Sequence, residues 1–528
     1  MLRIEIATEI RQDGDPLAPA LRKYHIRPED VLSHRIVHRS LDARAGRPAQ
    51  YLWQLDLELS QEARYAARLR SHARIVTPYV YQAPSAGSAV LANRPVVVGF
   101  GPAGMAAALL LARKGYRPIV LERGPAIEER RQTVSRYWQD RILDPEANVQ
   151  FGEGGAGAFS DGKLTTRIKD DRVPLILEEL VKAGADPSIV WLNHPHLGTD
   201  SLIEIDIRIR KAIESLGGEV RFQDRLDRIE TAGGHLAAVH TSRGESIPCE
   251  TLILAIGHSA RDTFADLMEQ GIPMEPKPFA VGVRVEHLQS FINDRQYRSI
   301  PDHSFLPAAE YHLSHTSSDG RGVYSFCMCP GGYVVASASE PDTVVTNGMS
   351  YAARDGKNAN SAIVVQINPQ DCGEGLLAGV HFQQRLEHEA WLLGKGRAPA
   401  ELIAHYLGRQ PSQEIGTVQP TYPHGVELTD LHPLFSSEVN QAMQEMLLHT
   451  EQIFPGFTGG GALMTGVETR TSSPLRILRN LTTLESAVGG IYPCGEGAGY
   501  SGGIVSSAID GIRCAEQIIR QYQPIEKH

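Results

Sequence analysis

Residues 96–124 read VVVGFGPAGMAAALLLARKGYRPIVLERG. An apolar strand runs into a glycine turn, the turn opens an apolar helix, and a second strand ends on Glu122 and Arg123. Gly99 permits the tight turn, Gly101 lets backbone approach a pyrophosphate, and Gly104, with Ala108 one turn on, allows close helix packing. The free N–H groups at the start of that helix, around Pro102 and Ala103, then face the diphosphate. Glu122 follows Gly104 by 122 − 104 = 18 residues, where an acid accepts from the adenosine ribose hydroxyls. A carboxylate there suits an unphosphorylated ribose and repels a 2′-phosphate, so the unit predicts FAD or NAD rather than NADP.

The same letters recur at Gly152-Glu-Gly154-Gly155-Ala-Gly157 within FGEGGAGAFSDGK (151–163). This second match lacks the context. No clear apolar strand precedes it, the residues after it are polar and glycine-broken, and no acid-terminated strand comes about twenty residues later. No second nucleotide domain is expected here.

At 528 residues the chain is too long for one ordinary core, so two or three domains are expected. With 42 % apolar and 22 % charged residues and no long apolar run, nothing in it reads as a membrane span. The acidic start, MLRIEIATEIRQDGD, is unlike a secretory signal, and the six scattered cysteines do not form a secreted disulfide framework. A cytoplasmic protein is expected. The net charge of −10 argues against wholesale binding to nucleic acid or anionic lipid. Residues 1–92 carry 13 Lys and Arg against 10 Asp and Glu, a mild excess read as solvated surface.

Along the chain, residues 1–90 read as a small α+β domain, with YLWQLDLEL alternating as a half-buried strand does, and YQAPSAGSAVLANRP (81–95) as a linker. Residues 93–271 are the first part of a nucleotide-binding domain, 272–464 an inserted α+β substrate domain, and 465–528 the return to the nucleotide fold.

The tail YPCGEGAGYSGGIVSSAIDGIRCAEQI (492–518) resembles the closing flavin motif of FAD enzymes with a glutathione-reductase-like, Rossmann-type domain. The resemblance implies that Gly495 and Glu496 hold the ribityl and phosphate region, and that Gly502, Gly503 and Ile504 present N–H groups to the flavin pyrimidine. TLILAIGHSARD (251–262) resembles the middle motif of the same group, ending at Gly257, and Leu226 sits where backbone recognises adenine. FAD follows as the expected cofactor.

Five further stretches, FGEGGAGAFSDGKLTTRI (151–168), KPFAVGVRVEH (277–287), YSFCMCPGGYVVASASE (324–340), NGMSYAARDGKNANSAIVV (347–365) and GVETRTSSPLRI (466–477), are similar to a bacterial family of FAD-dependent dehydrogenases with a small N-terminal domain. By that resemblance the second glycine stretch is a loop wrapping the FAD, with Gly154, Gly155, Ser160, Gly162 and Lys163 as contacts. Lys163 is read either as a cation beside the flavin ring or as a solvated lysine.

Three residues are candidates for catalysis: Lys163, Arg470 and Arg284. Arg470 could clamp a substrate carboxylate or pair with Glu468; Arg284 and Glu286 share one strand face, lining a cavity or buried in core, while His287 points to the other. Cys327 and Cys329 share a face if extended, but they lack the usual CxxC spacing and are read as two buried strand cysteines. No metal site is expected.

The expected activity is hydride transfer between bound FAD and an unidentified small organic substrate. A flavin monooxygenase or oxidase, or a flavoprotein recruited to RNA or protein through its N-terminal domain, are the alternatives. The remaining partner expected is a transient NAD(P)H or redox protein.

Overall fold

The computed structural model describes all residues except 11–13, 45–48, 167, 299, 301, 411 and 526–528. It is a mixed α/β structure. The opening stretch forms strand Val96–Val98, helix Pro102–Arg113 and strand Ile119–Leu121. Both strands join a five-stranded sheet whose order is Ile491–Pro493, Leu252–Leu254, Val96–Val98, Ile119–Leu121, Glu219–Arg221, all parallel. A parallel sheet must be covered on both faces, and successive residues divide accordingly. Val97, Val120 and Ile253 pack under helices Pro102–Arg113 and Ile504–Gln521, while Val96, Val98, Leu121 and Leu254 pack against a three-stranded sheet and helix Arg261–Glu269 on the other side.

The two helices lie nearly backbone to backbone. A Cβ at Gly511 would stand 2.0 Å from Ala103 O, while one at Gly104 would stand 1.9 Å from Gly99 O in the turn that precedes the first helix. The C-terminal helix is thereby held against the first.

Residues 278–468 contribute a seven-stranded sheet ordered Ser314–Thr316, Gly322–Cys329, Asn358–Ile367, Phe279–Leu288, Leu463–Glu468, Ala398–Leu402, Val426–Leu428. Phe279–Leu288 is central and buried along almost its whole length. The division expected after residue 464 is corrected by this sheet: Leu463–Glu468 pairs with Phe279–Leu288 and Ala398–Leu402, so the return to the nucleotide half begins after Glu468.

The N-terminal unit is β1 (Leu2–Glu9), α1 (Leu17–Lys23), β2 (Val31–Asp42), β3 (Gln50–Leu59), α2 (Glu62–Arg68) and β4 (Ala73–Ile75), with an antiparallel sheet ordered β2-β3-β1-β4. It is packed against the rest of the chain. Its core is continuous with that of the seven-stranded sheet. Arg39 is bound through its backbone N–H to Trp191 O at 2.7 Å, and its guanidinium lies over the rings of Tyr51, Trp53 and Trp191 at 4.8, 5.3 and 5.0 Å. The segment read as a linker runs along the C-terminal helix, with Gly87 N and Ala89 N donating to Ile519 O and Gln521 O. Among the described residues no helix is long and apolar enough to cross a membrane.

Gly511→Ala is expected to force the two helices apart, lowering stability by about 1–3 kcal/mol. A chemical-denaturation midpoint equal to that of the wild type would contradict this packing.

Candidate functional site

A cleft of about 2000 Å³ opens at the C-terminal ends of the parallel strands. Gly99, Gly101, Pro102 and Ala103 line it, as do Glu122, Arg123, Leu226, Gly257, Gly495, Glu496, Gly502, Gly503 and Ile504. Loops bring these distant stretches together because each strand ends at the same sheet edge. The middle and closing motifs touch directly: a Cβ at Gly497 would stand 2.4 Å from Gly257 O. Gly104 stays out of the cleft, in the helix packing already described.

The glycine loop 152–163 leans on the fingerprint turn. Gly154 N donates to Phe100 O at 2.9 Å, and a Cβ at Gly155 would meet Gly101 Cα at 3.1 Å. Gly155, Ser160, Gly162 and Lys163 line the cleft. Gly154 does not, which corrects its expected place: with φ +86° it faces Asp206, whose Oδ2 would lie 2.3 Å from an added Cβ. What fixes the loop is Arg130. Its fully buried guanidinium donates to Asn148 O, Val149 O, Gly152 O, Glu153 O and Gly155 O.

The donor and acceptor set suits FAD. Gly257 and Gly502 have open space where a Cβ would be, so a ligand can reach backbone there. Asp224, missed in the sequence, is buried in the lining beside Leu226, and neither carboxylate oxygen has a hydrogen-bond partner among the described residues. A buried bare carboxylate calls for donors, and the amino and hydroxyl groups of an adenosine are donors of that kind. Glu122 is already an acceptor for Phe100 N at 2.8 Å and for Gly124 N and Gly152 N, both at 2.9 Å, and a carboxylate retains room for a further donor. Arg123 reaches the cleft edge tied to Glu146 and Asp262. At the other end, His258 Nδ1 lies 3.7 Å from Glu496 Oε1, and its buried Nε2 has no partner among the described residues. Burial, with Arg470 and Arg261 nearby, pushes His258 down to about 3, and burial pushes Glu496 up to about 7. The pair is therefore a neutral imidazole beside a carboxyl that readily takes a proton.

The expected catalytic residues fare differently. Lys163 borders the cleft, and its partly exposed ammonium pairs with Glu310 at 3.0 Å and donates to Met328 O. Arg470 reaches the lining, yet its partner is Glu387 at 3.0 Å, with Ser339 Oγ at 2.6 Å, not Glu468. Arg284 is corrected outright. It is fully buried away from the cleft, donating to Glu468 at 2.8 and 3.0 Å and to Asn360 at 2.8 Å. Glu286 and His287 are buried too, held by Thr421 with Asn358 and by Phe457 O.

The lining extends beyond the parallel strands into a further region, the chamber. The β2–β3 hairpin of the N-terminal unit forms one wall with Arg39 to Arg44, and Tyr297, Glu310 and Tyr324 from the central sheet region form another. The N-terminal unit is thus part of the site's enclosure, which nothing local in its sequence signals.

This combination of parallel sheet, glycine cradle and partnerless buried carboxylate is suited to an FAD-dependent oxidoreductase. A family model described as "FAD-dependent protein, C-terminal domain-like" matches residues 278–471. A protein of Clostridium beijerinckii, described only as uncharacterized, is 45 % identical over 507 residues, 95 % of each chain. The chain belongs to this FAD-dependent protein family. More distantly, menaquinone reductase of Mycolicibacterium smegmatis is 28 % identical over 181 residues, covering 33 % of this chain and 39 % of its own. Among solved structures, that of CtdE in complex with FAD aligns over 80 % of this chain and 82 % of its own at 12 % identity, with a TM-score of 0.30.

Two outcomes test the geometry. Asp224→Leu removes both acceptors without leaving a buried charge and is expected to weaken FAD binding about ten- to a hundredfold, the worth of about 1.5–3 kcal/mol for a hydrogen bond to a charged group; undiminished affinity in a flavin-fluorescence titration would rule out that role. Glu387, gripped by Arg261 and Arg470, is held down at about 2 from its ordinary 4.5 despite burial. A depressed carboxylate contributes stability fully present above about 4.5 and lost as pH falls towards about 2. Denaturation midpoints measured across this window should fall more steeply in wild type than in Glu387→Gln, and parallel curves would contradict the triad.

Proposed function

We propose that this chain transfers a hydride between bound FAD and a small organic substrate admitted to the chamber under the central domain. The observation that carries this reading is the size of the cleft: about 2000 Å³ exceeds the ordinary ligand-pocket range of about 300–1,000 Å³, leaving space beyond the nucleotide-binding strands. The parallel-sheet half then acts as a glutathione-reductase-like, Rossmann-type FAD domain divided by the central insertion. Six free cysteines agree with a cytoplasmic setting.

FAD, when bound, supplies the two-electron chemistry. The chain's residues bind and orient it: the Gly99–Gly104 turn and the start of helix Pro102–Arg113 receive the diphosphate, Glu122 and Asp224 the adenosine. Glu496 and neutral His258 meet the ribityl. Gly502, Gly503 and Ile504 open helix Ile504–Gln521, whose N–H groups favour negative charge on the pyrimidine side. The β2–β3 hairpin narrows the way in and limits water. A hairpin fused into the enclosure favours this role over recruitment of RNA or a protein by the N-terminal unit.

Purified protein should be yellow and its flavin absorbance should bleach in anaerobic stopped-flow with one member of a panel of NADH, NADPH and small metabolites. Re-oxidation by air then distinguishes dehydrogenase from oxidase or monooxygenase. Gly101→Val, whose side chain would project towards Gly155 3.6 Å away, is expected to fold but remain colourless. A protein that takes up no FAD, or a fully yellow Gly101→Val, would overturn the reading.

A further inference from the structure

Strand Gly322–Cys329 pairs with Asn358–Ile367 regularly as far as Phe326 opposite Ala362, slips, and resumes with Cys329 opposite Asn360. Cys327 stands in the slip with φ +45°, a left-handed backbone on a residue that is not glycine. Such conformations collect at functional sites, where the surrounding structure enforces them. Here the reading of two ordinary strand cysteines is corrected: Cys327 lines the cleft, while Cys329 is fully buried behind it.

The bulge changes what the two sulfurs can do. In a regular strand, Cα atoms two residues apart are separated by about 6.6 Å, near the outer limit of the roughly 4.4–6.8 Å that a disulfide spans. The left-handed backbone at Cys327 turns the Cys329 side chain back onto residue 327 instead. The Cys329 thiol donates to Cys327 O at 3.2 Å.

The surroundings are built around this pair. Buried Arg284, freed of any substrate role, donates to Cys327 O at 3.1 Å while Glu468 anchors its other edge. Position 348 is glycine for a steric reason, since a Cβ there would stand 2.8 Å from Cys329 Sγ and 2.3 Å from Arg284 Nη1. The neighbouring Cys329, helped by the charges of Arg284 and Lys163 and opposed by burial and Asp161, draws the Cys327 thiol below its ordinary range; Cys327 and burial push Cys329 up. The cleft-facing sulfur is thus the more nucleophilic and the buried one its resolving partner.

We propose that Cys327 and Cys329 form a redox-active dithiol–disulfide couple on the wall of the FAD cleft, a second two-electron centre that exchanges electrons with the bound flavin. In the oxidising direction two S–H bonds break and one S–S bond forms, and two electrons and two protons leave the pair for oxidised flavin and solvent. The reverse breaks the S–S bond with the same count. The proposal rests on the FAD oxidoreductase reading and deepens it: the holoprotein stores four electrons, so a donor and an acceptor can use one chamber in turn.

The test is an anaerobic dithionite titration of air-oxidised holoprotein, followed by alkylation and peptide mass spectrometry. Wild type should take up four electrons per flavin. The peptide containing both cysteines should resist alkylation before reduction and accept two labels after it. Cys327→Ser and Cys329→Ser, checked for retained flavin absorbance, should take up two electrons. The wild-type peptide measurement stands even if a variant fails to fold. A yellow wild type that takes up only two electrons, with both thiols free after diamide treatment, overturns the couple and leaves the flavin reading intact. A protein that binds no flavin overturns both, whatever its thiols do.

Discussion

Arg130 is the constraint on which the cleft depends. A guanidinium taken wholly out of water is expensive unless its donors are met and its charge is balanced. Five backbone carbonyls meet the donors, and the carboxyl groups of Glu122, Asp206 and Glu153 surround it. Drawing five carbonyls of one loop round a single side chain forces that loop into a tight coil. Gly152, Gly154 and Gly155 all take positive φ, and a Cβ at Gly152 would strike Arg130 Cδ at 2.4 Å. The loop is therefore rigid before any ligand arrives, and its outer face is presented to the same space as the fingerprint turn.

That explains why one chain carries two stretches with the same letters. Glycines at 99, 101 and 104 are required by a strand, a helix and an approaching ligand, whereas those at 152, 154 and 155 are required by Arg130, Asp206 and the fingerprint backbone. Close approach of backbone selects glycine in both cases. Only the flanks separate them: apolar periodicity surrounds the first and is missing from the second.

Much of the nucleotide half was legible because its signals are local. Strand, turn, helix and terminal acid follow one another within thirty residues, and the closing motif repeats that grammar. Residues whose roles depend on distant partners were not legible. Arg284 and Arg470 sit in motifs that look like a substrate clamp, but Glu468 and Glu387, respectively, engage them. Asp224 follows Glu122 by a hundred residues and joins it only because strand Glu219–Arg221 lies beside Ile119–Leu121. Cys327 would have been placed correctly only by foreseeing a one-residue slip against Asn358–Ile367, and strand alternation carries no trace of such a slip.

The buried arginine pairs also bear on where specificity resides. Replacing an ion pair by apolar residues often leaves stability unchanged or improved, so Arg284–Glu468 and Arg261–Glu387–Arg470 are poor candidates for simple structural glue. What they do is direct geometry: each pair fixes a strand or helix of the central region against the cleft wall. Arg470 joins the strand end at Glu468 to helix Ala378–Leu393 through Glu387, and Arg261 ties that helix to the start of Arg261–Glu269 in the nucleotide half. Neither half can tilt without opening a buried charge. The chamber is therefore bounded by three elements at once, the central sheet, the nucleotide half and the β2–β3 hairpin.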